Sequence, residues 1–148
     1  MGVVAPNAVS LENFLEAIQE GRSGITFHQH LKDLNFSCCI GGIPEVSEEL
    51  KSQYLTPLQL RGFNSSGILY GCIAGMDAWK DAGFSIVEGD PDWDSGIIFG
   101  TGLSGVDKMR EAIYKLDNQN VKRLGSTTVQ QTMASGISAY LGGILGLG

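Results

Sequence analysis

The chain has 148 residues, of which 43% are hydrophobic and 18% charged. This is the size and composition of one ordinary globular domain, and it excludes a mostly disordered protein. The formal net charge is −6 and the pI is about 4.7, with no lysine and arginine cluster dense enough to follow a phosphate backbone, so nucleic-acid binding is not expected. No apolar run approaches the roughly 18 residues of a membrane span.

The cysteines and the start of the chain predict a cellular compartment. Cys38, Cys39 and Cys72 are odd in number and two are adjacent, a pattern that favours a reducing, cytoplasmic environment over a disulfide framework. The first residues contain no basic segment of the kind that begins a secretory signal. His28 and His30 invite a zinc interpretation, but no third ligand stands at a usual spacing. We therefore expect a solvated loop here and no metal site.

Two short helices are predicted in the first half of the chain. Ser10 is a good N-cap, and the apolar residues behind it recur at helical spacing until Gly21 ends the segment. Thr56 and Pro57 favour a second helix over residues 55–61. The residues expected on the apolar face of the first helix are Leu11, Phe14, Leu15 and Ile18.

A longer helix is predicted over residues 65–82, ended by Gly83. Gly67, Gly71 and Gly75 recur every four residues, and a glycine inside a helix costs about 1 kcal/mol relative to alanine. Three at one spacing predict that another backbone packs against this row and that the helix is buried on most sides. Cys72 lies in an apolar row of the same helix, which favours core packing over a nucleophilic role.

The second half predicts an alternation of helices and strands. Residues 95–100 are apolar without alternation, as a strand covered on both faces is. An amphipathic helix is expected next, with Val106, Met109, Ala112, Ile113 and Leu116 on one face, and then a third helix over residues 127–141. This order is typical of an α/β layer protein.

A glycine motif lies between the predicted strand and helix. Gly100, Gly102 and Gly105 match the G-x-G-x-x-G spacing of dinucleotide-binding turns. The acidic residue that such a site requires about twenty positions later is replaced by Lys122 and Arg123. We therefore expect no nucleotide cofactor, and interpret the motif as a turn that passes close to a ligand or another subunit.

Taken in order, five segments resemble the N-terminal half of β-ketoacyl-acyl-carrier-protein synthases of the KAS I/II type, in the thiolase superfamily. The resemblance covers essentially the whole chain, residues 1–148, and implies one synthase domain fragment. The segments are Met1-Gly-Val-Val-Ala-Pro-Asn, Glu20-Gly-Arg-Ser-Gly-Ile-Thr-Phe27, Tyr70-Gly-Cys-Ile-Ala-Gly-Met-Asp-Ala-Trp-Lys-Asp-Ala-Gly83, the Gly100-Thr-Gly-Leu turn and Thr132-Met-Ala-Ser-Gly-Ile-Ser-Ala139.

The resemblance implies an α/β, thiolase-like fold, here an incomplete βαβαβαββ half. The family's first strand would precede Met1, and the strand carrying the nucleophilic cysteine would follow Gly148. The two catalytic histidines would lie in the other half, so no catalytic residue is assigned in this chain. The implied reaction of the whole enzyme is fatty acid chain elongation: acyl transfer to the cysteine, decarboxylation of a malonyl thioester, and Claisen attack on the acyl-enzyme. The fragment alone is not expected to be active.

Two residues are carried over as candidate substrate-binding residues. Leu103 lies where the family places a residue that limits acyl chain length, and Met133 matches a position that reaches toward the pocket of the dimer partner. Acyl carrier protein is the implied partner, yet the segment that usually carries basic residues for it supplies only Arg61, with Lys51 further back. A homodimer is expected. The alternative is a chain-length-factor-like subunit, which has no catalytic cysteine and pairs with an active synthase.

Overall fold

A computed structural model describes all residues from Met1 to Gly148. It is α/β but rich in helix, with a small antiparallel sheet in which Phe27 pairs with Ile40. The elements in chain order are α1 (Leu11–Gln19), β1 (Thr26–Phe27), α2 (Gln29–Asp33), β2 (Ile40–Gly41), α3 (Glu48–Tyr54), α4 (Pro57–Gly62), α5 (Ser66–Asp81), α6 (Val106–Asp117), a 3₁₀ turn (Val121–Arg123), α7 (Thr128–Thr132) and α8 (Gly136–Leu145).

The helix starts predicted from capping residues are confirmed. The Ser10 hydroxyl accepts a hydrogen bond from the Asn13 N–H at 3.2 Å and begins α1. At α4, Thr56 and Gln59 form a reciprocal capping box. The backbone N–H of each residue donates to the side chain of the other, so two N–H groups at the helix start are satisfied locally. Helix α5 ends at Asp81 with Ala82 as its C-cap, and Gly83 follows in the left-handed conformation, as expected.

Helices α5 and α8 form the centre of the hydrophobic core. Ile68 and Cys72 of α5 pack with Ile137, Leu141 and Leu145 of α8, all buried. Met76 and Trp79, from the same predicted row of α5, pack at the edge of this cluster. The predicted core role of Cys72 is confirmed. The predicted burial of α5 on most sides holds for residues 68–73, whereas residues 74–79 are half-buried.

Close approach along the glycine row of α5 is confirmed at two of its three positions. A Cβ atom at Gly71 would lie 2.6 Å from Ile137 Cγ2, and one at Gly75 would collide with Leu141. The approaching atoms are side chains of α8, whereas the prediction named a backbone. Gly67 faces open space, so its presence has no packing reason within this chain.

The strand predicted over residues 95–100 is wrong. The segment has no regular secondary structure and forms no ladder, and Ile98 is fully exposed. A strand requires a neighbour to accept its backbone hydrogen bonds. Strand-like pairing in this part of the chain is limited to a single parallel bridge between Asp92 and Leu147. In addition, the Val87 N–H donates to the Leu145 carbonyl at 2.9 Å.

The helix predicted over residues 127–141 is divided into α7 and α8. Met133 adopts extended backbone angles between them, φ −79° and ψ 143°. The break allows α8 to lie along α5 while α7 turns the Gln131 side chain toward the α4–α5 junction. Met133 therefore lies outside both helices, although the prediction placed it inside one.

The apolar faces of α1 and α6 are largely exposed. Leu15 and Ile18 of α1 and Met109 and Ile113 of α6 are each at least half accessible to solvent, although both helices form as predicted. The accessible surface is 10013 Å², against about 7,300 Å² for a self-contained folded monomer of this mass. The chain therefore leaves uncovered apolar helix faces that a self-contained domain of this mass would bury.

None of the helices combines the length and apolar character that crossing a bilayer requires.

Candidate functional site

The glycine turn that carries Leu103 packs against the end of α7. Gly105 has φ +66° and precedes α6, and a Cβ atom there would collide with the Gln131 carbonyl and lie 2.7 Å from Thr132 Cα. Gly100 and Gly102 have open space around them. Glycine is therefore required by close packing at only one of the three motif positions, and the strand that a dinucleotide-binding turn needs before its glycines is not formed.

The structure brings the two predicted substrate-binding segments together. Leu103 lies in the same turn as Gly105, whose Cβ position is in contact with Thr132, the residue directly before Met133. Leu103 is 78% exposed and Met133 is 49% exposed, so both side chains are available for contact with a substrate or another chain. Their roles in an acyl pocket stay predictions.

Asp107, in the first turn of α6, caps a different helix. Its carboxylate accepts hydrogen bonds from the Ser65 hydroxyl at 2.8 Å and from the Ser66 N–H at 2.9 Å, at the start of α5. Burial by itself would raise the pKa of Asp107, but the bonds from Ser66 and Ser65 outweigh it and hold that pKa below its usual range. The carboxylate thus fixes the angle between α5 and α6.

Gln131 is the buried centre of the same junction, only 4% exposed. Its side-chain oxygen accepts from the backbone N–H groups of Asn64 and Ser65, each at 2.9 Å. Its nitrogen donates to the Gly62 carbonyl at 3.0 Å and to the Thr127 hydroxyl oxygen at 3.1 Å. One side chain therefore ties α7 to the segment that joins α4 and α5.

Sequence analysis found neither Asp107 nor Gln131. In the sequence, Asp107 indicates only the start of a helix, because acidic residues are enriched in the first turn. Both side chains act on residues more than 40 positions away, and no local spacing encodes such a partner. One local signal for this junction is the run Asn64-Ser65-Ser66, since asparagine and serine are preferred at helix N-termini, where backbone N–H groups need acceptors.

A basic cleft of about 170 Å³ opens beside this junction. Arg61 from α4 forms one side, and Lys108, Lys115 and Arg123 form the other with the single carboxylate of Glu111. Glu111 pairs with both lysines, at 2.7 and 2.6 Å, whereas Arg61 and Arg123 take part in no ion pair. Four of the ten lysine and arginine residues of this acidic chain therefore line one cleft. Two of the four, Arg61 and Arg123, have no carboxylate partner.

An apolar cavity of about 180 Å³ lies between α4, α5 and α8. Leu55, Phe63, Tyr140 and Ile144 line it, with Cys72 at its base. Burial raises the pKa of the Cys72 thiol to about 12, which keeps the sulfur protonated at neutral pH. The Cys72 thiol is thus not activated as a nucleophile.

We expect alkylation to distinguish the cysteines. At pH 8 a thiol with pKa near 12 holds on the order of a thousandfold less thiolate than an ordinary one of about 8.5. Iodoacetamide, followed by peptide mass spectrometry, should modify exposed Cys38 and leave Cys72 unmodified. In guanidinium chloride all three should react, which is the control. Comparable native rates at Cys38 and Cys72 would contradict the buried placement.

The histidines lie directly after β1, with His28 at the N-cap of α2 and His30 inside that helix. His28 follows β1, and its Nε2 is 3.1 Å from the Gly41 carbonyl oxygen, while its ring centroid is 5.6 Å from that of His30. The segment expected to be a loop therefore contains the short helix α2, with His28 half-buried at its start and His30 exposed on it.

Comparison with known proteins confirms the family resemblance. No protein-family model matches the chain. It is 30% identical over 148 residues to 3-oxoacyl-[acyl-carrier-protein] synthase 1 of Escherichia coli strain K12, covering 95% of this chain and 34% of that protein. It is 26% identical over 147 residues to 3-oxoacyl-[acyl-carrier-protein] synthase 2 of Vibrio harveyi, covering 99% and 34%. The chain thus spans about a third of the length of these relatives.

The fold agrees with the same resemblance. A crystal structure of a β-ketoacyl synthase from Burkholderia phymatum STM815 superposes with a TM-score of 0.76 at 17% sequence identity, covering 99% of this chain and 35% of the other. The expected thiolase-like fold is thereby confirmed at the level of overall architecture. The strands expected before Met1 and after Gly148 stay predictions.

Proposed function

We propose that this chain is the N-terminal part of a 3-oxoacyl-[acyl-carrier-protein] synthase domain of fatty acid biosynthesis, acting in the cytoplasm. The observation that supports the proposal most strongly is similarity to two such synthases over 95% and 99% of the chain. The reaction joins an acyl group, held as a thioester on an enzyme cysteine, to the carbanion left when a malonyl thioester loses CO₂. Carbon–carbon bond formation releases the cysteine thiolate.

In this proposal residues 1–148 contribute a wall of the acyl pocket and no catalytic group. The contact between the Gly105 turn and Thr132 supports a shared pocket region for Leu103 and Met133. Both side chains are exposed here, as residues that meet a substrate or a dimer partner are before that partner binds. The half-exposed faces of α1 and α6 support packing against further protein.

The basic cleft is the proposed docking surface for acyl carrier protein, an acidic partner. Sequence reasoning found only Arg61 near α4, because the other cations come from residues 47 to 62 positions later. The uncompensated Arg61 and Arg123 can pair with carboxylates of the carrier, and electrostatic attraction of this kind speeds association and orients the partner. Folding thus assembles a basic surface that the sequence does not display.

An assay of the full-length protein containing this chain tests the proposed function. The protein is mixed with an acyl-carrier-protein thioester and malonyl-carrier-protein, and 3-oxoacyl product and CO₂ are measured. Formation of both supports the proposal. If no product forms, but activity appears when an active synthase subunit is added, the chain belongs to the non-catalytic alternative; if no product forms under either condition, the proposal fails.

Replacement of Leu103 should change product length. Leu103→Gly removes a large side chain from the proposed pocket wall, so we expect the full-length enzyme to make longer acyl products, by about two to four carbons. Gas chromatography of the released acyl groups measures this. Leu34→Gly, which removes another exposed leucine from the end of α2, is the control and should leave the products unchanged. An unaltered product distribution in Leu103→Gly would refute the assignment.

A further inference from the structure

Gln131 makes every hydrogen bond that its side chain can make. An amide oxygen accepts two hydrogen bonds and an amide nitrogen donates two, and all four are present in the buried site. The orientation is unambiguous, because the oxygen faces two backbone N–H groups while the nitrogen faces the Gly62 carbonyl. An apolar replacement leaves the buried N–H groups of Asn64 and Ser65 without their acceptor.

The residue after Arg61 depends on these bonds for its position. Gly62 has no side chain, and no atom lies within 4 Å of where its Cβ would be, so packing does not hold it. Its carbonyl accepts from the Thr127 hydroxyl at 2.7 Å and from Gln131 at 3.0 Å. These two bonds anchor the end of α4, and with it Arg61, to the start of α7.

The opposite side of the basic cleft is anchored to the same part of the chain. The Lys115 ammonium group donates to the Arg123 carbonyl at 3.0 Å, and the Thr128 N–H donates to the Gly125 carbonyl at 3.1 Å. Arg123 thus has a fixed backbone relative to α6 and α7. The separation between Arg61 and Arg123 is therefore set by the bonds that hold Gly62.

We propose that Gln131 is a positioning residue for carrier-protein docking: it holds Arg61 across the cleft from Arg123, so that both cations meet the acidic partner at once. The inference rests on the proposed function, since it concerns the same docking surface. Gln131 touches no substrate in this arrangement and acts through Arg61. Without it, Arg61 keeps its charge, but the backbone that carries it loses an anchor, and ordering that segment on binding costs part of the affinity.

A double-mutant cycle tests the inference. Holo acyl carrier protein is titrated into the full-length protein that contains this chain, at low and moderate salt, with Arg61→Ala, Gln131→Met and the double variant compared with the wild type. We expect Arg61→Ala and Gln131→Met each to weaken binding by about fivefold and to reduce its salt dependence, and the double variant to show no further loss. Gln130→Met is the matched control, because Gln130 is exposed on the same helix and does not line the cleft.

The outcomes separate the inference from the function on which it rests. Additive losses in the double variant, or unchanged affinity in Gln131→Met, overturn the positioning role while leaving carrier docking intact. Failure of the wild-type chain to bind the carrier, with no effect of Arg61→Ala, overturns the docking surface itself and the inference with it. If Gln131→Met loses helical circular dichroism, Thr127→Val replaces it in the cycle, since it removes the other bond to Gly62.

Discussion

Replacing Gly105 with alanine should destabilise the protein by about 3 kcal/mol. The residue has φ +66°, a conformation that costs an alanine about 1 kcal/mol. The added Cβ would also collide with the Gln131 carbonyl, a backbone group that cannot rotate away, and displacement of packed backbone costs about 1–3 kcal/mol. The start of α6 and the end of α7 would have to separate.

Urea unfolding followed by pulse proteolysis measures the free energy of unfolding that Gly105→Ala loses. Gly102→Ala is a matched control in the same turn, because no atom lies within 4 Å of its Cβ position and its φ is not positive. We expect the control to change the free energy of unfolding by less than about 0.5 kcal/mol. Equal effects at the two positions would show that the turn is not packed against α7 as described.

Replacing Asp107 with asparagine should cost about 1–2 kcal/mol at pH 7 and should remove a pH dependence. The carboxylate accepts bonds from Ser65 and Ser66, and bonds to a charged acceptor are stronger than neutral ones. Asp107 remains partly exposed to solvent, which screens the charge and keeps the expected effect at this modest size.

The direction of the pH effect follows from the lowered pKa of Asp107. The folded state favours the ionised carboxylate, so its stabilisation is fully present above the pKa of the unfolded chain, about 3.9, and is lost as pH falls through the lower folded pKa. The gap in unfolding free energy between wild type and Asp107→Asn should therefore narrow below about pH 4. Asp117→Asn, at the exposed end of α6, is the control; a gap independent of pH would contradict the ionised cap.

Local sequence determined the helices whose starts are encoded within four residues. Ser10 and Thr56 cap backbone groups three positions away, and the row Ile68, Cys72 and Met76 lies on one face of α5 because helical geometry places residues four apart together. The ordered motifs also carried the family resemblance. These features depend on residues close together in the sequence and not on the tertiary packing.

Only the tertiary structure decided the strand, the helix break and the site. Residues 95–100 have the composition of a strand but pair with no other strand. The backbone hydrogen bonds of a strand are made to a different segment, so composition alone does not form one. Residues 127–141 look like one helix, yet Gln131 is turned toward Gly62 and the chain breaks at Met133. The basic cleft joins Arg61 to Arg123 across 62 positions. Such contacts depend on the packing of distant segments, which no local pattern encodes, whereas capping and periodicity act within one or two helical turns.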